Sequence, residues 1–357
     1  MTAEKISELL KEKNVDAALV SSLANIRYIS GFAGTESYLY LGRERKVILT
    51  DSRYTLQAEE EGKDCEVRTM SRERSYGVML GELLQEDGAG RIGFEENAML
   101  YGTWNNLWKK SGFGPEHWVM LGDSLSELRV IKNEQELQWM EKAESIGDAA
   151  FSYILGELKA GVTELEIAAK LEYYMRSHGA EGTSFDTIVA SGYHSAMPHA
   201  VPSEKKLETG DFVTMDFGCK YHGYCSDMTR TVVIGKASER QKEVYNLVLK
   251  AQLTALKGLR PGMTCKEGDK LARDVIAKAG YGEYFGHSLG HSVGLEIHEH
   301  PALSPKDGHV LQAGMVETVE PGIYIPDFGG VRIEDMVVLT ENGVRNLTHS
   351  PKELIEI

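Results

Sequence analysis

The stretch VTMDFG at 213–218 decides how this chain is read. Val213, Met215 and Phe217 alternate with Thr214 and Asp216, the period of a half-buried strand whose polar face carries the acid. Residues 220–223 read as a hairpin loop, with Gly223 free to take positive φ. A loop centred between Tyr221 and His222 predicts Asp216 directly opposite Asp227, with Cβ atoms roughly 4.5–5.5 Å apart. Two carboxylates so placed repel unless one is protonated or a cation lies between them.

Outward from that strand, the sequence repeats. Gly161-x-Thr163-x-x-Glu166 recurs 101 residues later as Gly262-x-Thr264-x-x-Glu267, and Gly179 recurs as Gly280. Leu207, Gly210, Thr214, Asp216 and Gly218 recur 104 residues later as Leu311, Gly314, Thr318, Glu320 and Gly322. The pattern predicts a duplicated unit whose halves face each other across a pseudo-twofold axis, superposing Asp216 on Glu320. A turn within 326–330 would bring the strands of Glu320 and Glu334 side by side. Four carboxylates on facing sheet surfaces suit a divalent cation, because hard cations prefer oxygen ligands. Solvated strand acids are the bland alternative, and both the repeat and the hairpin count against it.

Residues 287–301 read HSLGHSVGLEIHEHP and hold four of the 11 histidines. Gly290 and Gly294 argue against a helix there, so the four-residue step is not a helical zinc pair. A dense histidine cluster among glycines, in a chain with paired acids, points to ligand and proton-transfer chemistry. One histidine with four carboxylates suits a dinuclear site for Mn(II), Co(II) or Zn(II). The remaining histidines are then free to position substrate; His300, followed at once by Pro301, reads as a bystander. His199, in SAMPHA, would by itself be a surface-loop histidine.

Around these motifs the chain falls into two parts, as 357 residues lead one to expect. Residues 1–131 read as an α/β domain, with strands at 17–21, Lys46–Thr50 and 91–94 and a helix at 51–61. No concentration of His, Asp and Glu marks a site there. Residues 132–357 read as α+β. Asn133 with Glu136 forms a capping box that opens a long helix running to Gly161. Further boxes stand at Thr163–Glu166, Ser238–Gln241 and Thr264–Glu267, with Gly179, Gly258 and Gly280 predicted as left-handed helix ends. Strands are expected at 211–217, 228–234, 315–319 and 331–339.

Bulk properties exclude several classes. The net charge of −15, without a lysine or arginine cluster, makes nucleic acid and anionic membranes poor partners. Four cysteines without a CxxC pair fit a reducing compartment. The amphipathic N-terminus lacks a signal-peptide apolar core, and no run reaches membrane-span length, so cytoplasm is the default. Walker A, nucleophile-elbow and Rossmann signatures are missing, which removes NTPase, serine hydrolase and dehydrogenase readings.

Taken together, MDFG, SDMTRT, GHSVG, VEPG and RIED resemble the pita-bread-fold metallopeptidases, in particular the aminopeptidase P and prolidase branch. The resemblance spans the whole chain and implies a creatinase-like N-terminal domain before the catalytic one. It implies two metals held by Asp216, Asp227, His291, Glu320 and Glu334, with Asp227 and Glu334 bridging, and Mn(II) as the first choice. His199 matches a substrate-contacting histidine, and His287 and His298 match residues that stabilise the tetrahedral intermediate. Arg332 matches an arginine that braces the acids, and Glu320 is expected to act as base. The implied substrates are proline-containing peptides cleaved at the Xaa-Pro bond. Ala302 stands where many prolidases carry an arginine for a free carboxylate, and of its neighbours at 301–310 only Lys306 supplies a persistent cation. That favours an Xaa-Pro aminopeptidase over the rival dipeptidase; a non-catalytic version of the fold is a remote third. Glu317 falls where relatives show an apolar residue and receives no role. The N-terminal domain is expected to wall the cleft within a homodimer, through residues 31–35 and 38–40.

Overall fold

Alternation decides the packing of the first part of the chain. In the strand Ala17–Val20, Ala17 and Leu19 face one apolar core while Ala18 and Val20 face another. Helix Tyr76–Glu86 supplies Met79 and Leu83 to the first core, and helix Leu23–Ser30 supplies Ile26 and Ile29 to the second. A sheet covered on both faces reads as continuous apolar strands, which is why this segment lacks polar alternation. The sheet runs Glu66–Thr69, Lys46–Thr50, Ser37–Leu41, Ala17–Val20, Ile92–Phe94, Trp118–Met120. Two expectations change here. The helix expected from residue 51 begins at Thr55, because the Asp51 carboxylate accepts the N–H of Arg53 and holds a turn. Tyr40, expected at a cleft wall, is fully buried in the core and its hydroxyl donates to Asp87.

This computed structural model describes residues 3–62 and 64–357, in two compact units, Met1–Arg129 and Val130–Ile357. In the second unit all four capping boxes form, each with the reciprocal pair of side-chain-to-backbone bonds. The first helix, Glu134–Leu155, stops at Gly156 and not at Gly161. Gly161 instead takes positive φ and donates its N–H to Leu207 O. Gly258 is likewise no left-handed cap but the last residue of helix Glu239–Gly258. A Cβ there would lie 2.8 Å from Leu271, so its smallness serves the packing of two helices.

The repeat is visible in the backbone. Gly161 N–H to Leu207 O is matched by Gly262 N–H to Leu311 O, and the Thr163–Lys206 bridge by Thr264–Val310. Each half packs two helices on an antiparallel sheet, giving an α+β pita-bread architecture. One sheet is ordered Met228–Val233, Phe212–Phe217, Ile188–Ser191; the other contains Gly290–Ser292, Val316–Val319 and Asp335–Thr340. Val213, Met215 and Phe217 enter the helix-facing core, which leaves Thr214 and Asp216 on the opposite face. The strand expected over 331–339 is two strands, Gly329–Arg332 and Asp335–Thr340, in different sheets. Between them the backbone N–H of Glu334 bonds Thr229 O, so the chain crosses to a new partner.

Candidate metal centre

Asp216 stands opposite Thr229, not opposite Asp227. The hairpin turns on His222 and Gly223, at φ 47° and 79°, after the pairs Lys220–Cys225 and Tyr221–Tyr224. Such a two-residue turn matches strand twist better than a longer loop, and it moves the centre one residue along. Asp227 therefore precedes Thr229 by two and shares its face, diagonal to Asp216. The ladder breaks at this point. A Cβ on Gly218 would lie 1.9 Å from Ser226 O, so the crossing that delivers Asp227 tolerates only glycine. On the other side, the Gly322–Arg332 pair begins a ladder whose extension by two residues sets Glu320 across from Glu334.

His291 projects from Gly290–Ser292. Its Nδ1 donates to Ser292 O at 3.1 Å, leaving Nε2 directed at Asp227 Oδ2 and Glu320 Oε1, each 3.5 Å away. One donor atom from each of Asp227, His291 and Glu334 falls within 4.8 Å of the others. Asp216 accepts Arg332 Nη2 at 2.7 Å through Oδ2, while Oδ1 is buried without a partner. All five sequence-selected ligand residues thus line one cleft of about 610 Å³, with His199, His287, His298 and Arg332 also in its walls.

Burial, followed by the charge of Glu334, drives the Asp227 carboxyl well above its usual range. Burial and Glu320 do the same to Glu334, and burial raises Glu320 to about 8. Burial lowers His291 to about 4, so its imidazole is neutral near pH 7. Several carboxylates that resist ionising together, an orphaned buried oxygen on Asp216 and a neutral imidazole form the donor set of a divalent metal site.

Residues that sequence reasoning missed hold this set in place. The Thr229 hydroxyl donates to Glu334 Oε2 at 2.6 Å, and the Thr318 hydroxyl donates to Glu320 Oε1 at 3.1 Å while accepting the His291 N–H. Glu144, fully buried behind the cluster, accepts the Asp227 N–H at 3.3 Å. The Tyr324 hydroxyl joins Arg332 Nη1 to His287 Nε2, at 2.8 Å each. His287 Nδ1 is also occupied, donating to Ser288 O at 2.8 Å. Neutral His287 therefore has no donor left for substrate, whereas His298, edge-on to His291 with ring centroids 4.5 Å apart, is exposed in the cleft. Only the two threonines carried a signal, their alternation with the acids along each strand.

This geometry is that of a hydrolytic metallopeptidase, and the comparisons agree. Metallopeptidase family M24 matches residues 138–341, and the Creatinase/Prolidase N-terminal domain matches residues 3–131. The chain belongs to metallopeptidase family M24, whose membership implies divalent metal ions. It is 42% identical to the Xaa-Pro dipeptidase of Pyrococcus horikoshii over 99% of this chain and 98% of that one. Its fold matches the Xaa-Pro dipeptidase structure from Bacillus anthracis with a TM-score of 0.95, at 42% identity over 99% of both chains. The X-Pro aminopeptidase structure from Thermotoga maritima matches with a TM-score of 0.91, at 40% identity over 100% of this chain and 99% of that one. Among the described residues no helix is long and apolar enough to cross a membrane.

Proposed function

We propose that this metallopeptidase hydrolyses the Xaa-Pro bond of dipeptides, using two divalent ions held by Asp216, Asp227, His291, Glu320 and Glu334. Mn(II) is the expected ion, with Co(II) or Zn(II) as substitutes. The supporting observation is a cleft whose floor gathers four carboxylates and a neutral imidazole below two exposed histidines, His199 and His298. When bound, the ions supply Lewis acidity and lower the pKa of water towards neutrality. Glu320, held ionised when it ligates a cation, would take the proton and deliver it to the proline nitrogen. His298 donates to the carbonyl oxygen as charge develops on it. Arg332 orients Asp216 and, through Tyr324, fixes the ring of His287. The proline nitrogen carries no N–H in the substrate, so its protonation on leaving is the step that the cleft must serve.

The dipeptide reading rests on the two Xaa-Pro dipeptidases named above, set against the one X-Pro aminopeptidase, and is preferred to the aminopeptidase expected from Ala302. One observation favours the aminopeptidase as a second reading. Ala302 lines the cleft without a charge, Lys306 is exposed outside it, and Arg332 is committed to Asp216 and Tyr324. Comparing kcat/KM for Xaa-Pro and Xaa-Pro-Xaa on Mn(II)-reconstituted enzyme separates the two. Dipeptide preference supports the proposal; equal or better tripeptide turnover replaces it with the aminopeptidase.

A further inference from the structure

Glu164 is the first residue of helix Glu164–Ser177, a position that normally faces water, yet it is fully buried. It takes no part in the capping box, which uses Thr163 and Glu166. Its Oε1 accepts the N–H and hydroxyl of Ser191 at 2.7 and 2.8 Å. Its Oε2 accepts the hydroxyl and N–H of Ser203 at 2.7 and 3.2 Å. His194 Nδ1 lies 3.1 and 3.0 Å from the two oxygens. Ser191 and Ser203 bracket the segment that carries His199, so one carboxylate gathers donors from both stems and from within the loop.

Apolar burial holds this loop only at Ala200, packed with Ile188 and Ala190, while Tyr193, Met197 and Val201 are 60%, 48% and 80% exposed. Further ties are the Ser195 hydroxyl, which accepts the Gly330 N–H at 2.8 Å, two residues from Arg332, and the Lys205 ammonium, 5.7 Å from the centroid of the Tyr193 ring. Burial pushes the Glu164 carboxyl up, but the bonds from Ser203, Ser191 and His194 outweigh it and keep the group below its usual range. Bonds to a carboxylate are about twice as strong as neutral ones.

The internal repeat shows that this acid is particular to one half. The position 101 residues on is Cys265, and Ser292, the counterpart of Ser191, gives its hydroxyl to Glu317 instead. The counterpart of His291 is Ala190. In the other half the helix-borne carboxylate is Asp269, further along helix Cys265–Lys278, which accepts the Leu289 N–H at 3.0 Å.

We infer that Glu164 is a positioning residue that fixes the loop 192–202 and so presents His199 to substrate. The inference rests on the proposed peptidase reading, and its test includes a readout independent of activity. In Glu164→Gln, hydrogen exchange across 192–203 should speed up about tenfold or more while exchange elsewhere is unchanged. Mn(II) affinity should stay within about twofold, and kcat/KM for an Xaa-Pro peptide should fall about 10²-fold, the scale of a misplaced contact. In the His199→Ala background the same substitution should cost less than about threefold, because both changes act through one group. Ser203→Ala, which removes one of the bonds to Glu164 and the acceptor of the Lys205 N–H, should move each readout in the same direction and by less. Unaltered exchange, loss of metal affinity, or a full second loss on top of His199→Ala would each overturn the inference. A wild-type enzyme inert towards Xaa-Pro peptides would count against the proposed function, and the exchange data would still decide the anchor.

Discussion

Glu317→Gln should stabilise the protein increasingly as pH rises from 6 to 9. Glu317 lies on the strand Val316–Val319, on the helix-facing side, and is fully buried. Its Oε1 accepts the Ser292 hydroxyl at 2.6 Å, while Oε2 has no partner. Burial pushes the carboxyl to about 8; the Ser292 bond and Lys132 oppose this, and Asp307 and Glu299 reinforce it. The folded state therefore holds the proton more tightly than the unfolded chain, whose carboxyl titrates near its model value of 4.5. Stability from this group is complete below about pH 4.5, falls as pH rises, and levels off above about 8. The full shift corresponds to about 5 kcal/mol, of which roughly 2–3 kcal/mol lies between pH 6 and 9. At about 2–4 °C per kcal/mol for a unit of this size, the Tm gap between variant and wild type should widen by roughly 5–10 °C. Glutamine keeps the acceptor for Ser292 and cannot ionise. Glu144, also raised to about 8 by burial, titrates in both proteins and cancels in the difference. Thermal melts in saturating Mn(II) at pH 6, 7.5 and 9 provide the assay. A gap that is constant across those pH values would refute the reasoning.

Three further outcomes are expected. Chelation should abolish peptidase activity and Mn(II) or Co(II) should restore it, because Asp227 and Glu334 are poised to exchange protons for a cation; undiminished turnover in metal-free protein would remove the metal centre from the account. His298→Ala should lower kcat by about 10²-fold, as loss of an oxyanion donor does, with metal content by elemental analysis unaltered; a lost ion would make His298 a ligand. Gly218→Ala places a Cβ 1.9 Å from Ser226 O and should cost about 3 kcal/mol or more; calorimetry should show that loss together with weaker metal binding, since Asp227 moves with the strand crossing.

Local chemistry wrote much of this protein into its sequence. Asn133, Thr163, Ser238 and Thr264 announce their helices because a capping box is settled within four residues. Asp216 declares its face because side chains alternate along any strand, and the repeated glycines mark backbone turns that both halves need. The four acids and one histidine of the cluster were legible as residue types in a pattern. Tertiary structure decided what depends on partners far along the chain. The hairpin register followed from the left-handed pair His222–Gly223, and it put Thr229 and not Asp227 opposite Asp216. The strand expected over 331–339 broke at Glu334 because its backbone found Thr229, 105 residues away. Glu164 reads in sequence as an ordinary helix-start acid; only the folded chain brings Ser191, His194 and Ser203 around it, since burying a carboxylate requires donors that no local segment supplies.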